Sequence, residues 1–250
     1  MNNFQYCKTD TNIDHLASYN AAINERPSNS GSRDGRIKRS VGEHTKYWSP
    51  GKTLKILVFK YDDQSFEAVK NGASKWLPYV NLNFEFIEMD EQDIFQSNEY
   101  LGDIRVDFQP RFQNGGGSSK IGTDSLAIHP HLPSMTLGTN FSSSDFEPTV
   151  IHEFGHALGL QHEHQHPDAG IPWDKESTYT HMAPQGFSKA DVDANFFPQE
   201  RTPERTYRAY DRHSVMHYHI ENHLTVGDWH QPFNADISEG DIAAVRSIYP

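Results

Sequence analysis

Within the run His152-Glu153-Phe154-Gly155-His156-Ala157-Leu158-Gly159-Leu160-Gln161-His162, three histidines, a glutamate and a glycine have types and spacing suited to metal-assisted hydrolysis. On a helix, residues four apart lie about 40° apart around the axis, so the imidazoles of His152 and His156 can converge on one ion. Glu153 follows the first of them and projects beside that ion, where a carboxylate can accept a proton from polarised water. Gly159 lies where the helix must stop; glycine takes positive φ without penalty and lets the chain turn back. His162 then arrives as a third ligand. Three protein ligands leave a fourth position open for water, which is the arrangement of a catalytic zinc and not of a structural one. The reading is therefore one catalytic Zn2+ held by His152, His156 and His162, with Glu153 as general base.

These residues need a scaffold, and the sequence before them supplies one. Leu54-Lys55-Ile56-Leu57-Val58-Phe59 is rich in branched residues and reads as a strand. From Gln64 to Trp76, Phe66, Val69, Ala73 and Trp76 recur at helical spacing. Leu82 to Glu88 and Ile104 to Phe108 alternate as half-buried strands do. After the loop Gly115-Gly116-Gly117, Ser125 to Ile128 and Met135 to Leu137 are expected as two short strands, followed by a helix from about Pro148. That order suits an α+β fold with a twisted, mixed five-stranded sheet and helices packed behind it. The second half has little strand signal, many turns, and a final helix expected over Ser238 to Ile248. Residues 1–45 read as a polar N-terminal arm with one helix around Asp14 to Asn24, a turn-rich stretch from Pro27 to Ser32, and a basic run Arg36-Ile37-Lys38-Arg39.

Composition narrows the function classes. The 250 residues carry 34 acidic against 22 basic side chains, a net charge of -12, which argues against nucleic acid or an anionic membrane as partner. No run approaches the roughly 20 apolar residues of a membrane span. Cys7 is the one cysteine, so no intrachain disulfide forms. The start, Met1 to Tyr6, has neither a basic n-region nor an apolar h-region and is not a secretory signal.

A second element lies some fifty residues beyond the histidines. Ser214-Val215-Met216-His217-Tyr218 sits where metzincins carry their Met-turn. Together with the elongated histidine motif it resembles that clan, and in detail the astacin family. Glu163 directly after the third histidine matches an acidic residue of the family, and Tyr218 matches its transition-state tyrosine. Further similarity lies in Lys46-Tyr47-Trp48, Ile121-Gly122-Thr123-Asp124, Met135-Thr136-Leu137-Gly138 and Ile237-Ser238-Glu239-Gly240-Asp241-Ile242. Astacins proper carry disulfides, so the likeness is closer to disulfide-free microbial relatives.

The resemblance implies a catalytic domain over 46–250. Its upper lobe, about 46–162, would hold the sheet and active-site helix; its lower lobe, about 163–250, would be mostly irregular with the C-terminal helix. A peptide or protein substrate would lie extended in the cleft between them, along an edge strand expected at Ser134 to Thr139. Met216 would form an apolar floor beneath the ligands. The expected product is a secreted or exported zinc endopeptidase, monomeric. His164 and His166 are expected on a solvated exit from the site. Some metzincins are held latent by a pro-segment cysteine, which makes Cys7, with Asp10 nearby, a candidate for latency. Two alternatives stay open at this point: a catalytically inert zinc-binding interaction module, and a zinc hydrolase of a non-peptide substrate.

Overall fold

The branched residues of Thr53–Phe59 form β1, whose burial on both faces places it inside the sheet. The computed structural model describes residues 7, 13–30, 44–97, 99–112, 116–201 and 208–250. The Arg36 to Arg39 run, Asp10, Gly115 and the start Met1 to Tyr6 lie outside them. The chain divides into two compact units, Met1–Gln161 with Ile242–Pro250, and His162–Asp241.

In the first unit β1 is joined by β2 (Asn83–Met89), β3 (Ile104–Phe108), β4 (Gly117–Ser119) and β5 (Met135–Leu137). The sheet order is β2-β1-β3-β5-β4. β1 runs parallel to β2 and β3, β3 parallel to β5, and only β4 is antiparallel, against β5. The sheet is thus mixed, as the sequence suggests. Two expectations need correction. Ser134 to Thr139 is not an edge, because β5 lies between β3 and β4; the edge beside it is β4, which the glycine run concealed. Ser125 to Ile128 is no strand: Gly122–Ala127 is a 3-10 helix. It is held from β3, where buried Arg105 donates to the Ser125 carbonyl (2.6 Å) within it and to the carbonyls of Leu132 (2.8 Å) and Gly102 (3.1 Å) on either side. Backbone carbonyls that bind a guanidinium are not available to a sheet ladder.

Two helices back the sheet, α2 (Ser65–Ser74) and α4 (Phe146–Ala157), with a short α3 (Glu91–Gln96) after β2. α2 and α4 pack closely where Gly72 meets Val150; a Cβ on Gly72 would come within 2.7 Å of the Val150 side chain. Ahead of β1, α1 (His15–Glu25) is capped by Asp14, whose carboxylate accepts from Leu16 N and Ala17 N. Ser18 on α1 donates to Asp124 at 2.5 Å, and Lys46 pairs with the same carboxylate. Asn29 donates to the carbonyls of Ala22 (2.9 Å) and Tyr47 (2.8 Å). Polar side chains, not an apolar stripe, therefore seat α1.

The second unit contains α5 (Lys175–Met182) and α6 (Lys189–Asn195), both capped at their N-termini by Asp174 and Ser188. Among the described residues its pairing is limited to the isolated bridges Trp173–Thr225 and Ile220–Gln231. The last helix, α7, spans Glu239–Ile248. No helix among the described residues is long and apolar enough to cross a membrane.

Candidate active site

In the first unit, the placement of His152, Glu153 and His156 depends on how α4 ends. Gly159 has φ +94, and two backbone bonds close around it: Gly159 N to His156 O at 2.8 Å and Leu160 N to Gly155 O at 3.0 Å. This pair is the Schellman arrangement of a left-handed C-terminal cap. The last carbonyls are satisfied by side chains, with the Trp48 indole on Ala157 O and the Tyr249 hydroxyl on Leu158 O, each at 2.8 Å. Nearly two turns earlier the Trp76 indole donates to Ile151 O at 2.9 Å. Buried helix ends need such partners.

On this fixed helix the rings of His152 and His156 stand 4.9 Å apart at 89°. His156 Nδ1 donates to the Leu160 carbonyl at 2.9 Å, which leaves Nε2 with its lone pair. Burial, with the neighbouring His152, pushes the His156 pKa down to about 3. The ring is therefore neutral, as a metal ligand must be. Leu160 is a supporting residue that motif reading did not name; the signal was the turn that Gly159 creates.

Glu153 is fully buried, and burial raises its pKa to about 8 against the opposing hydrogen bond from Cys7. Its Oε1 has no hydrogen-bond partner among the described residues. A buried carboxylate oxygen left this way is costly, and a polarised water on a cation would relieve it. Above it lies Gly117 of β4. A Cβ there would stand 2.8 Å from Glu153 Oε1 and 2.9 Å from its Cγ. The glycine run, read from sequence only as a loop, thus clears the carboxylate.

Cys7 enters the same place. Its Sγ is 3.5 Å from Glu153 Oε2, and it offers a ligand atom within 4.8 Å of those offered by His152 and His156. Burial, then the charge of Glu153, raise the thiol pKa well above its ordinary value, while a hydrogen bond from the Ser119 backbone on β4 opposes this. A thiol so placed keeps its proton unless a cation sits beside it. The chemistry of this donor set, two imidazoles and a thiol around a buried carboxylate, fits zinc.

The second unit begins at His162, which is buried. The next backbone N–H, of Glu163, donates to Met216 O at 3.0 Å, tying the third histidine to the turn at Ser214–Tyr218. That turn hangs on Asp241, which accepts from Ser214 Oγ (2.6 Å), Val215 N (2.9 Å) and Ser238 N (3.0 Å). Glu163, raised by burial to about 7, accepts from Asp211 N at 2.8 Å. Met216 is buried. The Tyr218 ring is held from two sides, with centroids 4.4 Å from His162 and 3.9 Å from His164, the latter stacked at 20°. His164 does not lie on a solvated exit. It is buried, and Nε2 bonds the Asn195 carbonyl at 2.8 Å, because stacking on Tyr218 removes it from water. His166 Nε2 bonds the Arg208 carbonyl at 2.9 Å. His217 Nδ1 donates to Tyr218 O, and its Nε2 meets the Tyr210 hydroxyl, both at 2.8 Å.

A family model described as Astacin, a peptidase family, matches residues 112–230. Two structures of myroilysin are similar to the chain. The first has a TM-score of 0.71 at 37% identity, covering 82% of this chain and 96% of that one. The second has a TM-score of 0.60 at 35% identity, covering 82% and 86%. High choriolytic enzyme 1, a hatching enzyme zinc-protease from Oryzias latipes (Medaka fish), shares the fold with a TM-score of 0.54 at 18% identity over 82% and 94%. Human (Homo sapiens) matrix metalloproteinase-15 is 32% identical over 113 residues, 39% of this chain; the match spans 16% of that protein's length.

Proposed function

The chain belongs to the astacin family of zinc metallopeptidases, and from that premise we propose that it is an endopeptidase in which His152, His156 and His162 hold one zinc and Glu153 moves the proton. The observation that carries this is the buried Glu153 side chain beside His152 and the neutral imidazole of His156 on one capped helix. Zinc, when bound, polarises both water and the scissile carbonyl. Glu153 takes the proton of the attacking water and delivers it to the leaving amine. The Tyr218 hydroxyl donates to the oxyanion, and stacking on His164 fixes the direction from which it does so. The peptide substrate adds as an extended strand to the sheet edge at β4, where absence of a side chain at Gly117 leaves room for the Glu153 carboxyl group behind it. A secreted or exported location and a monomeric state complete the reading.

The same site carries its own restraint. The Cys7 thiol reaches Glu153 and lies within ligand range of His152 and His156. It touches β4 through Ser119, where substrate would run. On this reading the N-terminal arm keeps the enzyme latent by filling the position that water needs. The test is cleavage of an unstructured polypeptide by the zinc-loaded full chain and by its Cys7→Ala variant, each with and without a chelator. Cleavage at least tenfold faster in the variant, and abolished by chelation, supports both parts. Equal rates remove latency and keep the peptidase; no metal-dependent cleavage by either chain removes the peptidase.

A further inference from the structure

Outside the site described, α5 and the 3-10 turn Asn222–Leu224 bring together a second set of donors. His223 Nε2 lies 3.0 Å from His181 Nδ1, with ring centroids 4.6 Å apart at 58°. Glu221 Oε2 is 3.3 Å from His223 Nδ1. One ligand atom from each of the three residues falls within 4.8 Å of the others.

The scaffold under these side chains is built. Asp174 N donates to Leu224 O at 2.9 Å and Ser177 Oγ to His223 O at 2.6 Å, so α5 is bonded directly to the turn that bears His223. Leu224 N closes the turn on Glu221 O at 3.0 Å. Thr225 Oγ1 donates to Trp229 O at 2.6 Å. Met182 and Leu224 are fully buried beneath. The rings thus stand on fixed backbone, while the donor atoms face solvent, with His223 and Glu221 side chains 49% and 41% exposed. An ion can reach them.

We propose that His181, His223 and Glu221 form a second metal site, for a divalent ion of the zinc class, lying wholly within His162–Asp241. The Glu221 carboxylate, 3.3 Å from His223 Nδ1, favours the tautomer that keeps the proton on Nδ1 and leaves Nε2 with a lone pair toward His181; a carboxylate behind a ligand histidine is the usual orienting partner. Two nitrogens each about 2.0–2.1 Å from a tetrahedral zinc stand about 3.3 Å apart, so the observed 3.0 Å needs only a small adjustment. Imidazole donors select zinc, copper or nickel over calcium or magnesium. Bound there, the ion crosslinks α5 to the 222–224 turn. The site uses none of the residues assigned to catalysis, so the proposal does not rest on the peptidase reading.

The test titrates Zn2+ into the full chain already loaded with its tightest-bound equivalent and counts metal per chain after equilibrium dialysis. Wild type is expected to take up a further equivalent, raising its melting temperature. His181→Ala/His223→Ala should lose that equivalent while keeping the first, and Glu221→Gln should weaken it about tenfold. Loss of the same equivalent in a His129→Ala/His131→Ala control, or uptake unchanged in the double variant, overturns the proposal. Should the double variant fail to fold, His223→Gln at its exposed position gives the same reading: retained affinity overturns the site, and weakened uptake with the first equivalent intact supports it.

Discussion

Gly117→Ala should cripple turnover while leaving fold and metal in place. Gly117 does not have positive φ, so alanine suits the backbone of an edge strand. The new methyl carbon, however, would stand 2.8 Å from Glu153 Oε1, 2.9 Å from Cγ and 3.1 Å from Cδ. Reaching ordinary contact near 3.4 Å requires about 0.6 Å of movement. Glu153 is fully buried on a helix pinned by Trp48, Trp76 and Tyr249, so the carboxylate must rotate away instead of the helix shifting. Displacements of about 1 Å at a reacting group cost up to about a hundredfold in rate; a shift of roughly half that should lower kcat by about tenfold, about 1.4 kcal/mol of barrier. The assay is steady-state cleavage of a quenched peptide in the Cys7→Ala background, with zinc per chain and melting temperature measured in parallel. Zinc content should stay at the parent value and the melting temperature within a few degrees. A kcat equal to the parent's would refute the reasoning that this glycine clears space for the base.

The remaining predictions concern the frame. Gly159→Ala puts a Cβ 2.7 Å from the Tyr47 ring on a backbone at φ +94, and should destabilise by roughly 2–4 kcal/mol in urea unfolding, from left-handed strain and overpacking together. Asp241→Ala orphans the donors of Ser214, Val215 and Ser238; a loss of about 3 kcal/mol with reduced zinc retention is expected, and unchanged retention would disconnect the turn from the metal. His217 has its pKa lowered by burial to about 4 from an unfolded value of 6.5. The unfolded chain therefore binds its proton first, and stability falls as pH drops from 6.5 toward 4, by up to about 3 kcal/mol. His217→Gln should flatten that part of the urea-midpoint profile against pH, and an identical profile would exclude His217 as the acid-sensitive group.

Much of this was legible because the relevant signals are local. The spacing of His152, Glu153 and His156 is a property of one helix, and Gly159 announces its own end. β1, α2, β2 and β3 each carry their period within a few residues. What stayed hidden was set by distant partners. β4 has no strand composition at all; Gly117 and its two serines pair because β5 offers an open ladder, not because the residues favour it. The 3-10 helix at Gly122–Ala127 is held by Arg105, twenty residues before Ser125, whose guanidinium takes the Ser125 carbonyl. His164 looks like a surface residue beside two others until the Tyr218 ring is stacked on it. The approach of Cys7 to Glu153 was suggested only by the family resemblance, since no periodicity encodes a contact between residues so far apart in the chain.

The central claim is that Glu153 carries the proton in peptide hydrolysis, and its most direct test is Glu153→Gln in the Cys7→Ala chain, assayed for zinc content, peptide affinity and single-turnover cleavage. The amide keeps the shape of the buried side chain but cannot accept a proton. The account predicts one tightly bound zinc, unchanged peptide binding, and cleavage slowed by about a thousandfold. Turnover close to that of the Cys7→Ala parent, with zinc bound, would contradict it.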